Sequence, residues 1–285
     1  MLKTAWEFIR FDKAKSVGVV VGILISTFLI GQQIGVFFFL TSLMGALATD
    51  VKADIWVVDS KTQDVNQLGK LDIRTLRAVQ GIAGVQEAFP ILIAGASCNY
   101  NNGTSGVVTL IGVDMSKLNS VLDSSKIIAG KPGDLQMDGA VSGEFFEKKN
   151  IGDKIDLGTD FEINGKRAFF AIQTKGFRGF GSSFCVTTIE RARFYSNQSI
   201  NNISGVLVKL APGANADDVV KSINRTLPGI RAWRSEKLAE STISKIVTSS
   251  GIALSTGTLI VFALIAGLFI IGLTMYSSAL DRLKD

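Results

Sequence analysis

Residues 16–49 (SVGVVVGILISTFLIGQQIGVFFFLTSLMGALAT) contain no Lys, Arg, Asp or Glu, and residues 246–280 repeat that pattern near the other end of the chain. An uncharged, mostly apolar run of this length reads as a membrane span, because a hydrocarbon core of about 30 Å is crossed by about 20 helical residues. As one helix rising about 1.5 Å per residue, the first run would reach roughly 50 Å. It is therefore expected to leave the bilayer as a stalk, since its far end turns polar at Thr41, Ser42 and Thr49. Ala46-Leu47-Ala48 has the form of a signal-peptide cleavage site. The apolar run far exceeds a signal core of roughly 7–15 residues, so an uncleaved anchor is expected. The segment between the spans is too long and too polar to be a membrane loop, so it lies on one side and both chain ends on the other.

The flanks set the orientation. Residues 1–15 carry Lys3, Arg10, Lys13 and Lys15 against Glu7 and Asp12. With Trp6 they read as a cytoplasmic interfacial segment, because basic residues next to a span stay in the cytosol. Asp281, Arg282, Lys284 and Asp285 follow the second span, again with two basic residues. The middle domain is then extracytoplasmic.

Composition removes several chemistries. The chain has no histidine, which excludes Ser–His–Asp and Cys–His catalysis and most catalytic zinc sites. No catalytic, cofactor-binding or metal-ligating constellation stands out, and there is no phosphate-binding loop sequence, so the chain reads as a non-enzyme. Thirty basic against 25 acidic residues is too even a balance for a nucleic-acid partner. Cys98 and Cys185 both fall in the middle domain, where a disulfide is permitted; paired and separately buried thiols both remain open.

Small residues mark the spans. Gly18, Gly22 and Ser26, then Gly31 and Gly35, recur four apart in the first span; Ala263 and Gly267 do so in the second. That spacing makes a groove for close approach of another helix, within the chain or from a second protomer.

The middle domain alternates strand and helix patterns. Strands are expected at 53–58, from 84 to 96, at 107–113, 205–210 and 230–233, with helices at 73–80 and 216–227. The two helix–glycine–strand units suggest the halves of one split α/β sandwich. Residues 117–201 read as a mainly-β insertion, with a short helix at 139–150. A Gly-rich loop at 175–184 carries Phe177, Arg178 and Phe180, a surface hairpin or a contact loop for a partner. Residues 235–245 are expected to be helical and to run straight into the second span. The expected fold is α+β. Its parts are 1–15 interfacial, 16–49 span and stalk, 50–116 with 202–234 the split α/β domain, 117–201 the insertion, 235–280 stalk and second span, and 281–285 the start of a cytoplasmic segment.

Several local motifs occur in a family-like order. Gly84-Val85-Gln86-Glu87-Ala88-Phe89-Pro90 is followed by Leu110-Ile111-Gly112-Val113-Asp114, then by Ile128-Ala129-Gly130 with Asp138-Gly139-Ala140-Val141 and Ile151-Gly152-Asp153-Lys154-Ile155. Asp281-Arg282-Leu283-Lys284-Asp285 is similar to the opening of a Glu-Arg-x-x-Glu segment after the second span, with Asp for both Glu. Together these resemble the first half of the ABC transporter permeases of the MacB, LolC/LolE and FtsX superfamily. Asp54-Ile55-Trp56-Val57-Val58-Asp59 is most similar to the DevC-like branch, which works in glycolipid export. The resemblance implies a permease subunit, with ATP bound by a separate cytoplasmic ABC ATPase and a second permease protomer forming a dimer. It also implies surrounding membrane lipids, a periplasmic adaptor and an outer-membrane channel. Closure of the ATPase would pass through the coupling segment Asp281, Arg282, Lys284 and Asp285 and the long helices to the external domain. Such permeases continue into two further spans, so the chain is expected to be a fragment of one. A two-span receptor shares the topology and is the rival reading.

Overall fold

The computed structural model describes residues 13–145 and 156–282. They fall into two compact units, 13–41 with 247–282, and 42–145 with 156–246. Helix α1 (Lys13–Asp50) is unbroken. Then come β1 (Ile55–Asp59), β2 (Leu71–Asp72), α2 (Arg74–Gln80), β3 (Val85–Tyr100), β4 (Ser105–Val113), α3 (Leu118–Val121), β5 (Ile127–Ala129) and β6 (Ala140–Glu144). The second half holds β7 (Asp160–Ile163), β8 (Lys166–Thr174), β9 (Ser183–Thr188), α4 (Ile189–Ser196), β10 (Asn202–Ile203), β11 (Gly205–Leu210), α5 (Ala216–Thr226) and β12 (Ile230–Arg234). Helices α6 (Ser235–Ser250) and α7 (Ile252–Arg282) close the described chain.

In the first unit the apolar side chains face outward. Phe28 is 69% exposed and Phe269 is 73% exposed, which an aqueous surface would not sustain over whole helices but a lipid one does. The helices touch through small residues. A side chain at Gly22 would meet Ile270 Cγ2 at 2.5 Å, and one at Gly267 would meet Ser26 Oγ at 2.6 Å. As the number rises from 22 to 26 on α1, its partner falls from 270 to 267 on α7, so the pair is antiparallel. The Lys13 end of α1 and the Arg282 end of α7 therefore lie at the same end of the pair. Of the expected groove, Gly22, Ser26, Ala263 and Gly267 are brought together or buried, whereas Gly18, Gly31 and Gly35 face open space. Four-residue spacing does not say which small residues lie on the contact stripe.

The second unit is organised by β3. Its first half sits in an antiparallel layer ordered β12–β1–β11–β3, and its second half pairs with β4 and β7 in the other layer. The sequence reading divides the domain at residue 116; the chain itself crosses from one layer to the other within β3. Helices α2 and α5 cover one face of the first layer, burying Val79, Val219 and Ile223 against Ile55, Val57 and Val208. Asn215 caps α5, accepting from the N–H groups of Asp217 and Asp218, whose charges also suit the helix N-terminus.

The other layer curls almost closed. The run β9–β4–β3–β7–β8–β6 brings β6 back to β9, and side chains make the seam. The Ser142 hydroxyl accepts from Val186 N–H at 2.8 Å, and the Thr187 hydroxyl donates to Ala140 C=O at 2.8 Å. Alternate residues of these strands, Cys98, Leu110, Val141, Phe161, Phe170 and Cys185 among them, fill the interior, and Tyr195 of α4 joins them.

Two expectations are corrected here. Residues 140–144 are strand, not helix: β6 pairs in parallel with β8, which takes up its backbone groups, and every one of its residues is buried. Residues 146–155 lie outside the described part. The chain does not run straight from α6 into the second apolar helix, because Gly251 stands between them at φ +69°, a left-handed conformation that stops a helix.

Neither Cys98 nor Cys185 forms a disulfide, and both are buried inside the curled layer. They lie on non-adjacent strands, with Cys98 opposite Gly106 and Cys185 opposite Leu110 across β4. Burial pushes the Cys98 thiol up to about 12, and the Cys185 thiol donates to Ser142 C=O. An aromatic disulfide reagent should therefore label neither thiol in the folded chain and both in denaturant. Labelling in the folded state would contradict this packing, and no labelling after unfolding would mean a bridge.

Candidate functional site: the stalk feet and the glycine-rich loop

Among the described residues, no group of His, Cys, Asp and Glu is arranged to hold a metal ion. The structured chemistry of the second unit lies where the last turns of α1 and the first turns of α6 meet the β layers. Met44, Leu47, Ala48 and Val51 are buried there, as are Leu238, Ala239 and Thr242 of α6. Gly45 lets the two helices close up, since a side chain on it would stand 3.3 Å from Ala239 Cβ. This apolar contact packs against Trp56, Val58, Phe89 and Leu207, the face of the first layer opposite α2 and α5. Burial of several such side chains, at roughly 1.5–3 kcal/mol each, fixes both helix feet to the layer.

Polar groups fix the register of these feet. Asn66 Nδ2 donates to Met44 C=O at 2.9 Å, and the Thr242 hydroxyl accepts from Val65 N–H at 2.9 Å. Ser241 donates to Gln63 C=O at 2.9 Å. The loop 63–66 thus bridges α1 and α6.

The end of α1 also reaches the insertion. Lys126 pairs with Asp50 at 2.7 Å, and Lys52 pairs with Asp123 at 2.7 Å. Lys52 N–H donates to Ser120 C=O at 2.7 Å. The Lys52 hydrogen bond, followed by those of Ser125, holds the Asp123 carboxyl down to about 2. A carboxyl depressed this way stabilises the fold above its unfolded value of 3.8, and the contribution is lost as pH falls through about 2.

Lys126 leads on to the Gly-rich loop, its ammonium standing 5.5 Å from the Phe177 ring centre. Phe177 itself is fully buried, edge-on to Phe184 with ring centres 5.1 Å apart. The loop is held from beneath by Glu144, only 1% exposed at the end of β6. Its carboxylate accepts from Gly176 N–H at 2.8 Å, Phe177 N–H at 3.0 Å and the Thr174 hydroxyl at 3.0 Å. Gly176 adopts φ +77°, which turns both N–H groups toward that carboxylate.

The structure therefore changes the make-up of the candidate contact loop. Phe177 is a core anchor and is unavailable to a partner. Phe180 is 38% exposed, and Arg178 is half-buried and bridged to Ser183. Asp281 and Arg282 form the end of α7, while Lys284 and Asp285, like residues 1–12, lie outside the described part. Glu144 and the Asp50–Lys126 pair were missed by sequence reasoning. A lone carboxylate flanked by Ala140–Gly143 and Phe145 was the available sign for Glu144; nothing local pairs residue 50 with residue 126.

The family model of the MacB-like periplasmic core domain matches residues 16–226, well over half of the chain. No curated protein sequence matches it. Among solved structures, the periplasmic region of MacB from Actinobacillus actinomycetemcomitans aligns with a TM-score of 0.50 at 11% identity, covering 68% of this chain and 94% of that one. The extracellular domain of the noncanonic ABC-type transporter YknZ from Gram-positive bacteria aligns at 0.43 and 14% identity, over 64% of this chain and 99% of that one. A domain of a putative permease protein from Porphyromonas gingivalis gives 0.41 at 12% identity, over 65% and 89%. The MacB region carries the structural comparison, which at that identity concerns the fold.

Proposed function

Because the chain belongs to the family of the MacB-like periplasmic core domain, we propose that it couples ATP hydrolysis by a separate cytoplasmic ABC ATPase to movement of its middle domain. Membership makes it an ABC-type transporter permease of the MacB/FtsX-type superfamily with an extracytoplasmic middle domain. The two-span receptor reading draws no support from that match. In our reading the protein sits in the inner membrane as a dimer with a second permease protomer. Asp281, Arg282, Lys284 and Asp285 begin the segment that meets the ATPase. The middle domain faces a periplasmic adaptor and, through it, an outer-membrane channel, with the exposed Phe180 as the loop residue that meets it. Export of lipid, glycolipid or another hydrophobic compound follows from the DevC-like character of residues 54–59.

The observation that carries this reading is the asymmetry of the two helical feet. Helix α1 is continuous from Lys13 to Asp50 and ends in ion pairs to the insertion. Helices α6 and α7 are separated by a joint at Gly251.

The full-length permease should co-purify with its ATPase and stimulate ATP hydrolysis in lipid nanodiscs. Gly251→Ala favours continuation of the helix, since alanine is better in helices by about 1 kcal/mol and disfavours positive φ. It should leave assembly intact and lower transport-coupled hydrolysis by roughly a factor of five, given that 1 kcal/mol is about that factor. Failure to associate with any ABC ATPase would remove the coupling reading. Wild-type coupling in Gly251→Ala would remove the joint.

A further inference from the structure

The long strand β3 has a gap along one edge. Through Val85–Ile91 that edge pairs with β11, and through Cys98–Tyr100 it pairs with β7. Between these ladders, side chains stand in for a neighbouring strand. The Ser204 hydroxyl accepts from Ile93 N–H at 2.8 Å and donates to Ile93 C=O at 2.9 Å. Asn164 Oδ1 accepts from Ser97 N–H at 3.0 Å, and Asn164 N–H donates to Ser97 C=O at 2.8 Å. Backbone groups point the same way at every second residue, so Gly95 aims its N–H and C=O at the same edge, between two residues whose groups are both taken. Gly95 is exposed, and a side chain built on it would meet nothing within 4 Å.

This open position borders a cleft of about 330 Å³, whose other walls include Asn66, Gln67, Lys70, Gln198 and Asn202. Among the described residues lining it, Lys70 carries the one charge, and it is exposed. We propose that this cleft binds an extended acidic peptide segment, one residue of which completes the ladder at Gly95 while a neighbouring carboxylate meets Lys70. A small anion would use the Gly95 N–H and be repelled by the Gly95 C=O. A peptide group supplies both the acceptor and the donor that the edge lacks, as in strand addition to a sheet. The amide side chains of Gln67, Gln198 and Asn202 offer further donors and acceptors to an extended backbone, Asn66 Oδ1 a further acceptor, and Ile93 gives it an apolar floor. The inference does not rest on the coupling reading above.

The test uses the full chain in detergent micelles and a fluorescein-labelled hexapeptide of alternating valine and threonine ending in aspartate. Binding is followed by anisotropy, and backbone protection by hydrogen-exchange mass spectrometry. The peptide should slow exchange across residues 93–97. Gly95→Val, which fills open space without a clash, should weaken binding by about tenfold or more, as should N-methylation of the peptide backbone. Lys70→Gln should weaken binding by roughly threefold, and only for the aspartate peptide, in line with an exposed ion pair. Absence of binding, unchanged exchange at 93–97 at saturation, or equal affinity for the N-methylated peptide would each overturn the proposal. If Gly95→Val lowers the melting temperature, the peptide modification and Lys70→Gln decide the matter on a folded protein.

Discussion

Gly22→Leu is expected to separate α1 from α7. Even a single carbon on Gly22 would stand 2.5 Å from Ile270 Cγ2 and 3.2 Å from its Cβ, too close for the side chain to be accommodated by a small rotation. Overpacking at such a contact costs about 1–3 kcal/mol. Lipid offers an alternative surface of equal apolarity, so nothing hydrophobic holds the helices against the strain. The reporter is a disulfide between Ser26→Cys and Gly267→Cys, placed where Ser26 Oγ lies 2.6 Å from a side chain built on Gly267. Crosslinking should fall by roughly a factor of five or more in Gly22→Leu. Gly18→Leu, with nothing within 4 Å, should leave it unchanged. Equal loss in both variants would mean that bulk in the span, and not this contact, is responsible.

Glu144→Gln is expected to be the most damaging single-atom-scale change in the second unit. The glutamate oxygens accept three hydrogen bonds at a site that is 1% exposed, and an amide replaces one acceptor by a donor aimed at donors. Leaving a buried N–H unsatisfied and losing charge-assisted bonds costs about 2–4 kcal/mol. In a domain of this size that lowers the melting temperature by roughly 5–15 °C. The loss should come with faster hydrogen exchange in residues 175–182, because the loop is what the carboxylate holds. Melting like the wild type would show that the loop is held by Phe177 packing alone.

The sequence was most legible where one physical constraint dominates. Two uncharged runs long enough to cross a bilayer can hardly be anything but apolar helices, and α1 and α7 follow from that alone. The strands β11 and β12 and the helices α2 and α5 were also readable, since glycine, proline or a capping asparagine bounds each, and β1 by its run of β-branched and aromatic residues. The order of the family-like motifs also points to the MacB-type family, since it depends on local sequence alone. Residues 140–144 were misread because a fully buried short strand has no alternation to show, and its neighbours Phe145 and Phe146 lengthen the apolar run into a helical pattern.

The sequence by itself determined the two apolar helices, the α/β middle domain between them and the absence of histidine chemistry. These depend on composition and on spacing within a few residues. Only the tertiary structure decided that Gly22 and Gly267 meet while Gly18, Gly31 and Gly35 do not, that Phe177 is core, and that Glu144 holds the loop. It alone pairs Asp50 with Lys126 and leaves Gly95 open on a strand whose two halves serve different layers. Those facts depend on which distant segments share a face, and a local pattern cannot encode them because many pairings satisfy the same periodicity.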